Sequence, residues 1–318
     1  MTEPTAAPER AEPPKDRRPR TTKAARREER AGLLFASPWL IGTLVFLIGP
    51  IVASMLLSFT NWNLISPAKW VGLENYRDML DDRNFRQSIR VTLFYAILAV
   101  PLFQVAGIAL ATLLNLRLRG MYLFRTILFL PAVLSGVAVA VLWAQMLNPD
   151  LGIVNQILRA IGIDDPPRWL QSPDWAVPAV VLMGLWGVGS GAIIYLAGLQ
   201  NIPPALYQAA KIDGARTWRT FWHITLPLLT PTLLFTLLIG VIGAFQVFDV
   251  AYILGGSRGG TRGSLLFYVL NMWNEGFRNG RFGYASALAW VLVMVAAIVI
   301  VLIFKTSSRW VYYESEGN

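Results

Sequence analysis

The stretch QNIPPALYQAAKIDGARTWRTFWHITLPLLTP, residues 200–231, decides the fold. It lies between two apolar runs and is itself too short and too polar to cross a bilayer. Pro203 and Pro204 sit where a helix starts without losing a hydrogen bond, and Gly214 is placed to end that helix after about three turns. Asp213 is expected to cap a second short helix by accepting the backbone N–H of Ala215 or Arg216. Trp218, Phe221 and Trp222 would give that helix an apolar face suited to the membrane interface. The expectation is two short helices lying along the membrane rather than through it. Ala209, Ala210, Gly214 and Ala215 leave part of this surface almost without side chains, so a partner backbone could approach closely. On the residues alone two readings stay open: a docking surface, or an ordinary loop whose small residues reflect helix propensity.

Composition sets the class. Of 318 residues, 55% are hydrophobic and 15% charged, against about a quarter charged in soluble domains. This is the balance of a multispanning membrane protein. The chain has no cysteine and one histidine, which excludes disulfides, thiol catalysis, cysteine- or histidine-built metal sites and histidine triads. No catalytic residue and no metal site are expected. The formal charge of +9 raises nucleic-acid binding, but the basic residues are distributed as in a membrane protein, so nucleic acid is not an expected partner.

Working outward, residues 1–30 mix Pro, Ala, Arg, Lys and Glu without periodicity and are expected to form a disordered basic tail. The apolar run Leu33–Phe59 is far longer than the roughly 7–15 residues of a signal-peptide core, so it should remain as a first span. Five more runs follow, about Val91–Leu116, Thr126–Leu147, Ala176–Leu199, Ile224–Val247 and Tyr284–Phe304, each near the roughly 20 residues that cross a hydrocarbon core. The resulting fold class is all-α, with a six-helix transmembrane body over 31–305 and a tail over 306–318. Six crossings put both termini on one side. That side, with the tail, the 117–125 loop, the 200–223 loop and the C-terminal end, carries 17 Lys and Arg against 11 on the other. Arg117, Arg119 and Arg125 in one short loop carry much of the weight, which makes both termini and the 200–223 loop cytoplasmic.

No Asp, Glu, Lys or Arg lies inside any of the six runs. Ion-coupled carriers and voltage sensors need ionisable groups at membrane depth, so this chain has no engine of that kind. It has no phosphate loop either. The sequence GGSRGGTRG at 255–263 lacks the lysine and the flanking strand and helix, and reads as a flexible external loop. Uphill movement would need energy from another subunit. Pro101 and Pro131 are expected to kink the second and third spans, and Pro227 and Pro231 to bend the start of the fifth, just after the two surface helices.

Material for a ligand site is confined to the last three spans. Phe245, Gln246, Phe248 and Asp249 combine flat apolar faces with hydrogen-bonding groups, a pairing that suits sugars. At about 1.5 Å per residue, Phe245 stands on the order of 32 Å beyond Ile224, toward the external leaflet. In the fourth span Trp186, Ser190 and Tyr195 are expected to face the same cavity, with Trp186 and Ser190 on one helical face. Lipid contact remains the alternative for each aromatic, and helix–helix bonding for Gln246.

The 200–231 stretch resembles the cytoplasmic coupling motif of binding-protein-dependent ABC importer permeases, E-A-A-x-x-x-D-G-A followed by an aromatic, an isoleucine and Leu-Pro. Ala209, Ala210, Asp213, Gly214, Ala215, Phe221, Ile224, Leu226 and Pro227 fall on that pattern, while Gln208 replaces the usual glutamate. Over roughly residues 30–305 the chain is similar to the carbohydrate (maltose/oligosaccharide-type) members, through YLAGLQNIP at 195–203, FQVFD at 245–249 and NGRFGYASALAW at 279–290. Gly255-Gly256-Ser257 lacks the proline that usually follows the glycines. The resemblance implies an inner-membrane transport subunit, not an enzyme, with residues 203–227 as a coupling-helix pair. It implies a second permease of a different chain, two cytoplasmic ATPase subunits that hold the ATP and Mg, an external solute-binding protein and a sugar substrate in a lipid bilayer. The external segments 60–90 and 148–175, with PPRWLQSPDW at 166–175, would meet the binding protein. A carrier acting without an ATPase, and a permease for a non-sugar solute such as glycerol-phosphate, are the rival readings.

Overall fold

A computed structural model of the chain describes residues 23–116 and 120–312. Most of the expected tail, two of the three arginines of the 117–125 loop and the last six residues lie outside the described residues. The chain divides into two units, 1–53 and 54–318. In the first, α1 (Lys23–Thr43) starts inside the segment expected to be an unstructured tail and leads through a π turn (Leu44–Ile48) into α2 (Gly49–Leu57). Arg30–Leu57 is apolar enough to cross a membrane, and none of its most apolar window is buried.

In the second unit, a two-residue ladder of β1 (Thr60–Asn61) and β2 (Lys69–Trp70) is the only strand pairing among the described residues. Short α3 (Glu74–Asp81) leads to α4 (Arg83–Leu114), which Asp82 caps by accepting from the Asn84 N–H at 2.8 Å. Pro101 is carried within α4 without a break.

The next two apolar runs are not single helices. The third is α5 (Met121–Phe129), a 3-10 turn at Leu130–Val133, and α6 (Gly136–Met146). Pro131 has no N–H to continue α5, Leu134 is extended, and the Ser135 hydroxyl caps α6 by accepting from Ala138. After a short helix α7 (Ile153–Ala160), the fourth run is α8 (Pro173–Trp186) and α9 (Gly189–Gln200), bent by 51°. Glycine explains that bend. A Cβ at Gly184 would run into the Phe103 ring of α4, and one at Gly189 into the backbone of Leu128 in α5, so the two glycines admit neighbours that a continuous helix of larger residues would exclude.

There follow α10 (Pro204–Ile212), α11 (Thr217–Thr220), α12 (Leu226–Phe245), α13 (Asp249–Gly255), α14 (Tyr268–Trp273) and α15 (Phe282–Ser307). Four helices among the described residues are long and apolar enough to span, or five with the bent α8–α9 pair as one. The core is where α4 meets α8, α9, α12 and α14. Val91, Tyr95, Val180, Phe245 and Phe267 pack at one end, Ala111, Leu114, Tyr195, Leu199 and Leu229 at the other. The glycine-rich loop, expected to be flexible, is a closed turn. Gly260 N–H donates to Gly255 at 2.6 Å and Leu265 N–H to Gly259 at 2.7 Å, with positive φ at Gly256, Gly259, Gly260 and Gly263.

Candidate functional site

Two places concentrate the residues singled out by sequence. The first is the turn after α9. Pro204 opens α10, and Gly214 ends it at φ +73°. Ala215 N–H donates to Ala210 O at 2.9 Å and Gly214 N–H to Lys211 O at 3.2 Å, the paired bonds that close a helix through a left-handed glycine. Asp213 is the C-cap of α10 rather than a cap for the next helix, whose N-cap position, Arg216, makes no side-chain capping bond. Gln208, Ala209, Asp213 and Gly214 are exposed, but Ala210 is 8% exposed and packs inward, so it adds nothing to a bare outer surface.

The second surface helix is not separate from the fifth span. α11, a π turn at Phe221–Thr225 and α12 run as one helix, Thr217–Phe245. In the π turn Leu226 N–H donates to Phe221 O, so the wide hydrogen-bond pattern falls just ahead of Pro227, which cannot donate. α10 is tied to this long helix by Tyr207, whose hydroxyl lies 3.2 Å from Thr225 Oγ1, and Tyr207 and Phe221 pack on Leu199, Ile202 and Leu229. A displacement of α10 therefore has a packed route into α12. Trp218, Phe221 and Trp222 form one aromatic cluster, with Trp218 stacked on Phe221 at 6.0 Å.

The second place is a cavity of about 220 Å³ at the α8–α9 bend, lined by Phe103, Gln104, Ser190, Tyr195, Thr236 and Ile239 among others. The Tyr195 hydroxyl donates to Gln104 Oε1 and lies 2.6 Å from Thr236 Oγ1. Thr236 also donates to Gln104 at 3.1 Å, so α4, α9 and α12 share one polar knot in apolar surroundings.

The residues expected around one cavity are divided. Ser190 and Tyr195 line it. Trp186 does not share a helical face with Ser190, because α8 ends at Trp186, and its ring meets Trp143 edge-on at 6.4 Å. Phe245 is buried in the core, while Gln246 and Asp249 are exposed where α12 breaks into α13. Phe248 sits there between Tyr252 and Trp273 at 5.8 and 6.0 Å. Gln104 and Thr236 were missed. Gln104 had a signal, as a lone amide in an apolar run that needs a buried partner; Thr236 had none.

Residues 89–313 match the model of the family described as binding-protein-dependent transport system inner membrane component. The chain belongs to this family. Similar members include the probable ABC transporter permease protein YesP of Bacillus subtilis, 39% identical over 93% of this chain and 96% of that one. The lactose transport system permease protein LacF of Rhizobium radiobacter is 37% identical, over 86% and 92%. The trehalose/maltose permease protein MalF of Thermococcus litoralis is 36% identical, over 91% and 97%. Among solved structures, a chain of a bacterial alginate ABC transporter in complex with its alginate pentasaccharide-bound periplasmic protein superposes with a TM-score of 0.77 at 26% identity, covering 89% of this chain and 96% of that one. A family member of this kind is a transport subunit of the inner membrane.

Proposed function

We propose that this chain is the transmembrane permease subunit of an ATP-driven ABC importer for a sugar of oligosaccharide type, delivered by an external solute-binding protein. The observation that carries the reading is the closed α10 turn, with Gly214 at its tip and Tyr207 clamping it to the long α11–α12 helix, on residues of a chain that belongs to the binding-protein-dependent family. In this reading the partner ATPases hold ATP and Mg and push or pull on the exposed Gln208, Ala209, Asp213 and Gly214. The α11–α12 helix passes the motion to the α8–α9 bend, and the cavity there changes the side it faces. In this reading the broken third and fourth runs each count once, the six crossings leave both termini and α10 on one side, and the excess of Lys and Arg there makes that side the cytoplasm. The second permease is a different chain. Sugar as the substrate class is supported by the names of the relatives, which carry lactose and trehalose or maltose, and by the polar knot of Tyr195, Gln104 and Thr236.

The test is uptake of labelled oligosaccharides by proteoliposomes holding the full complex. ATP-dependent accumulation that vanishes without the ATPase is the expected result. Accumulation without it would make the chain a secondary carrier, and uptake of glycerol-phosphate in place of saccharides would move the substrate class.

A further inference from the structure

Away from the α8–α9 cavity, α14 and the π turn that follows it (Asn274–Arg278) face a second cavity of about 300 Å³, lined by Asn84, Arg258, Asn271, Asn274, Glu275 and Arg278 among others. Asn271, Asn274, Glu275 and Arg278 recur at helical spacing, so one face of this element is wholly polar. It faces inward: Asn271, Asn274 and Glu275 are 2%, 8% and 4% exposed. The glycine-rich turn is pinned over it through Ser257, whose carbonyl accepts from Asn274 Nδ2 at 2.7 Å and whose hydroxyl accepts from Arg278 Nη1 at 2.8 Å. Asn271 Nδ2 and Asn274 Oδ1 are left buried with no partner among the described residues. A buried donor and a buried acceptor one helical turn apart, each without a partner, are costly unless something supplies both bonds.

Next to this cavity runs a groove of about 430 Å³ lined by Arg83, Arg86, Gln87 and Arg90. Asn84 and Gln87, one turn apart on α4, connect the two, and Gln87 Nε2 donates to Gly263 O of the same glycine-rich turn at 3.2 Å. The salt bridges among the described residues are both made by Arg281, to Asp78 and Glu275. Arg83, Arg86, Arg90, Arg258 and Arg278 are exposed and none is in a salt bridge.

We infer that this is a receiving site for a carboxylate-bearing saccharide, an oligouronate, on the external face. The inference rests on the orientation and substrate class proposed above. A sugar hydroxyl both donates and accepts, so neighbouring hydroxyls can satisfy Asn271 Nδ2 and Asn274 Oδ1, while ring carboxylates meet the guanidinium groups of Arg258 and Arg278 and of the adjoining groove. A neutral sugar would leave these five guanidinium groups without a counter-charge. An acidic protein surface would engage the arginines but could not reach two amides inside a concavity, which favours the saccharide over a protein partner.

The test uses the assembled permease–ATPase complex without its binding protein. The probes are an oligouronate tetramer and the same tetramer with its carboxyl groups reduced to alcohols. The expected result is oligouronate binding at least about tenfold tighter than that of the reduced tetramer, with slower amide exchange over residues 255–279. Arg258→Gln with Arg278→Gln should abolish the difference while leaving binding of the reduced tetramer in place; Arg278→Lys, which keeps the charge, should restore part of it. Equal binding of the two tetramers, or no change in exchange, overturns the inference. So does a double variant that weakens docking of the empty binding protein and leaves saccharide binding untouched, which would make the patch a protein-docking surface. ATP-driven uptake of neutral oligosaccharides by the wild-type importer separates the two levels: if it occurs without oligouronate binding, only this inference fails, and if no saccharide is taken up, the functional reading fails with it.

Discussion

Gly189 of α9 lies so close to Leu128 of α5 that a Cβ at Gly189 would overlap the Leu128 carbonyl. This contact joins the broken third run to the bent fourth one, and backbone cannot give way as a flexible side-chain end can. Gly189→Ala should therefore destabilise the folded subunit by about 1–3 kcal/mol, the range for an added methyl group in a packed site. Gly191 has open space where its Cβ would stand, so Gly191→Ala is the matched control. Thermal unfolding of the purified complex should show a lower midpoint for the first variant and an unchanged one for the second.

The tip of α10 makes a different kind of prediction, because nothing lies within 4 Å of a Cβ built at Gly214 and only its φ of +73° opposes a side chain. A β-branched residue pays the most in that conformation and asparagine the least. Gly214→Val should cost about 1–2 kcal/mol locally and open the turn, whereas Gly214→Asn should retain it. In proteoliposomes the expected outcome is loss of uptake per ATP hydrolysed for valine and near-normal coupling for asparagine. Equal coupling in both would separate the turn geometry from energy transfer.

In the α8–α9 cavity, the Tyr195 hydroxyl and Thr236 Oγ1 converge on Gln104 Oε1. Tyr195→Phe and Thr236→Val each remove two contacts of the knot, the one between the two hydroxyls being common to both, so a double-mutant cycle should give a coupling of about 0.5–2 kcal/mol, the range for interhelical bonds in membranes. Unfolding of the solubilised complex measures it. Purely additive effects would mean that the two hydroxyls serve Gln104 independently.

Local chemistry was legible in the sequence, and contacts between distant segments were not. Pro204 and Gly214 bound α10 where helix-end chemistry places them, and the FQVFD run does mark a break, since α12 ends at Phe245. The fracture of the fourth run escaped a hydropathy reading because Gly184 and Gly189 raise no polar signal while their effect comes from Phe103 and Leu128 in other helices. The division of the expected site has the same origin: Trp186 and Ser190 are four apart in sequence, and the bend between them separates their faces. Asp213 looked like a cap for the following helix because its side chain is a good acceptor, but the left-handed closure at Gly214 claims the backbone groups first.

A final prediction concerns the segment between α6 and α8, which is held by one wholly buried amide. Asn155 Nδ2 donates to Pro149 O at 3.1 Å and to Pro167 O at 3.3 Å, and Asn155 Oδ1 accepts from Trp169 Nε1 at 2.7 Å. The carbonyls belong to two prolines, rigid points on either side of α7, so one side chain fixes the whole excursion. Asn155→Ala would leave the Trp169 N–H and both carbonyls without that partner and should cost about 2–3 kcal/mol, confined to this segment. Trp169→Phe removes a single bond and should cost about 1 kcal/mol. Proteolysis should accelerate within residues 148–172 for Asn155→Ala and much less for Trp169→Phe. If this segment receives the binding protein, the affinity of the complex for that protein should fall in the same order, while uptake at saturating binding protein stays near the wild-type rate, because the α8–α9 cavity and the α10 turn are untouched. A fall in the saturated rate with unchanged affinity would instead tie the segment to the transport cycle itself.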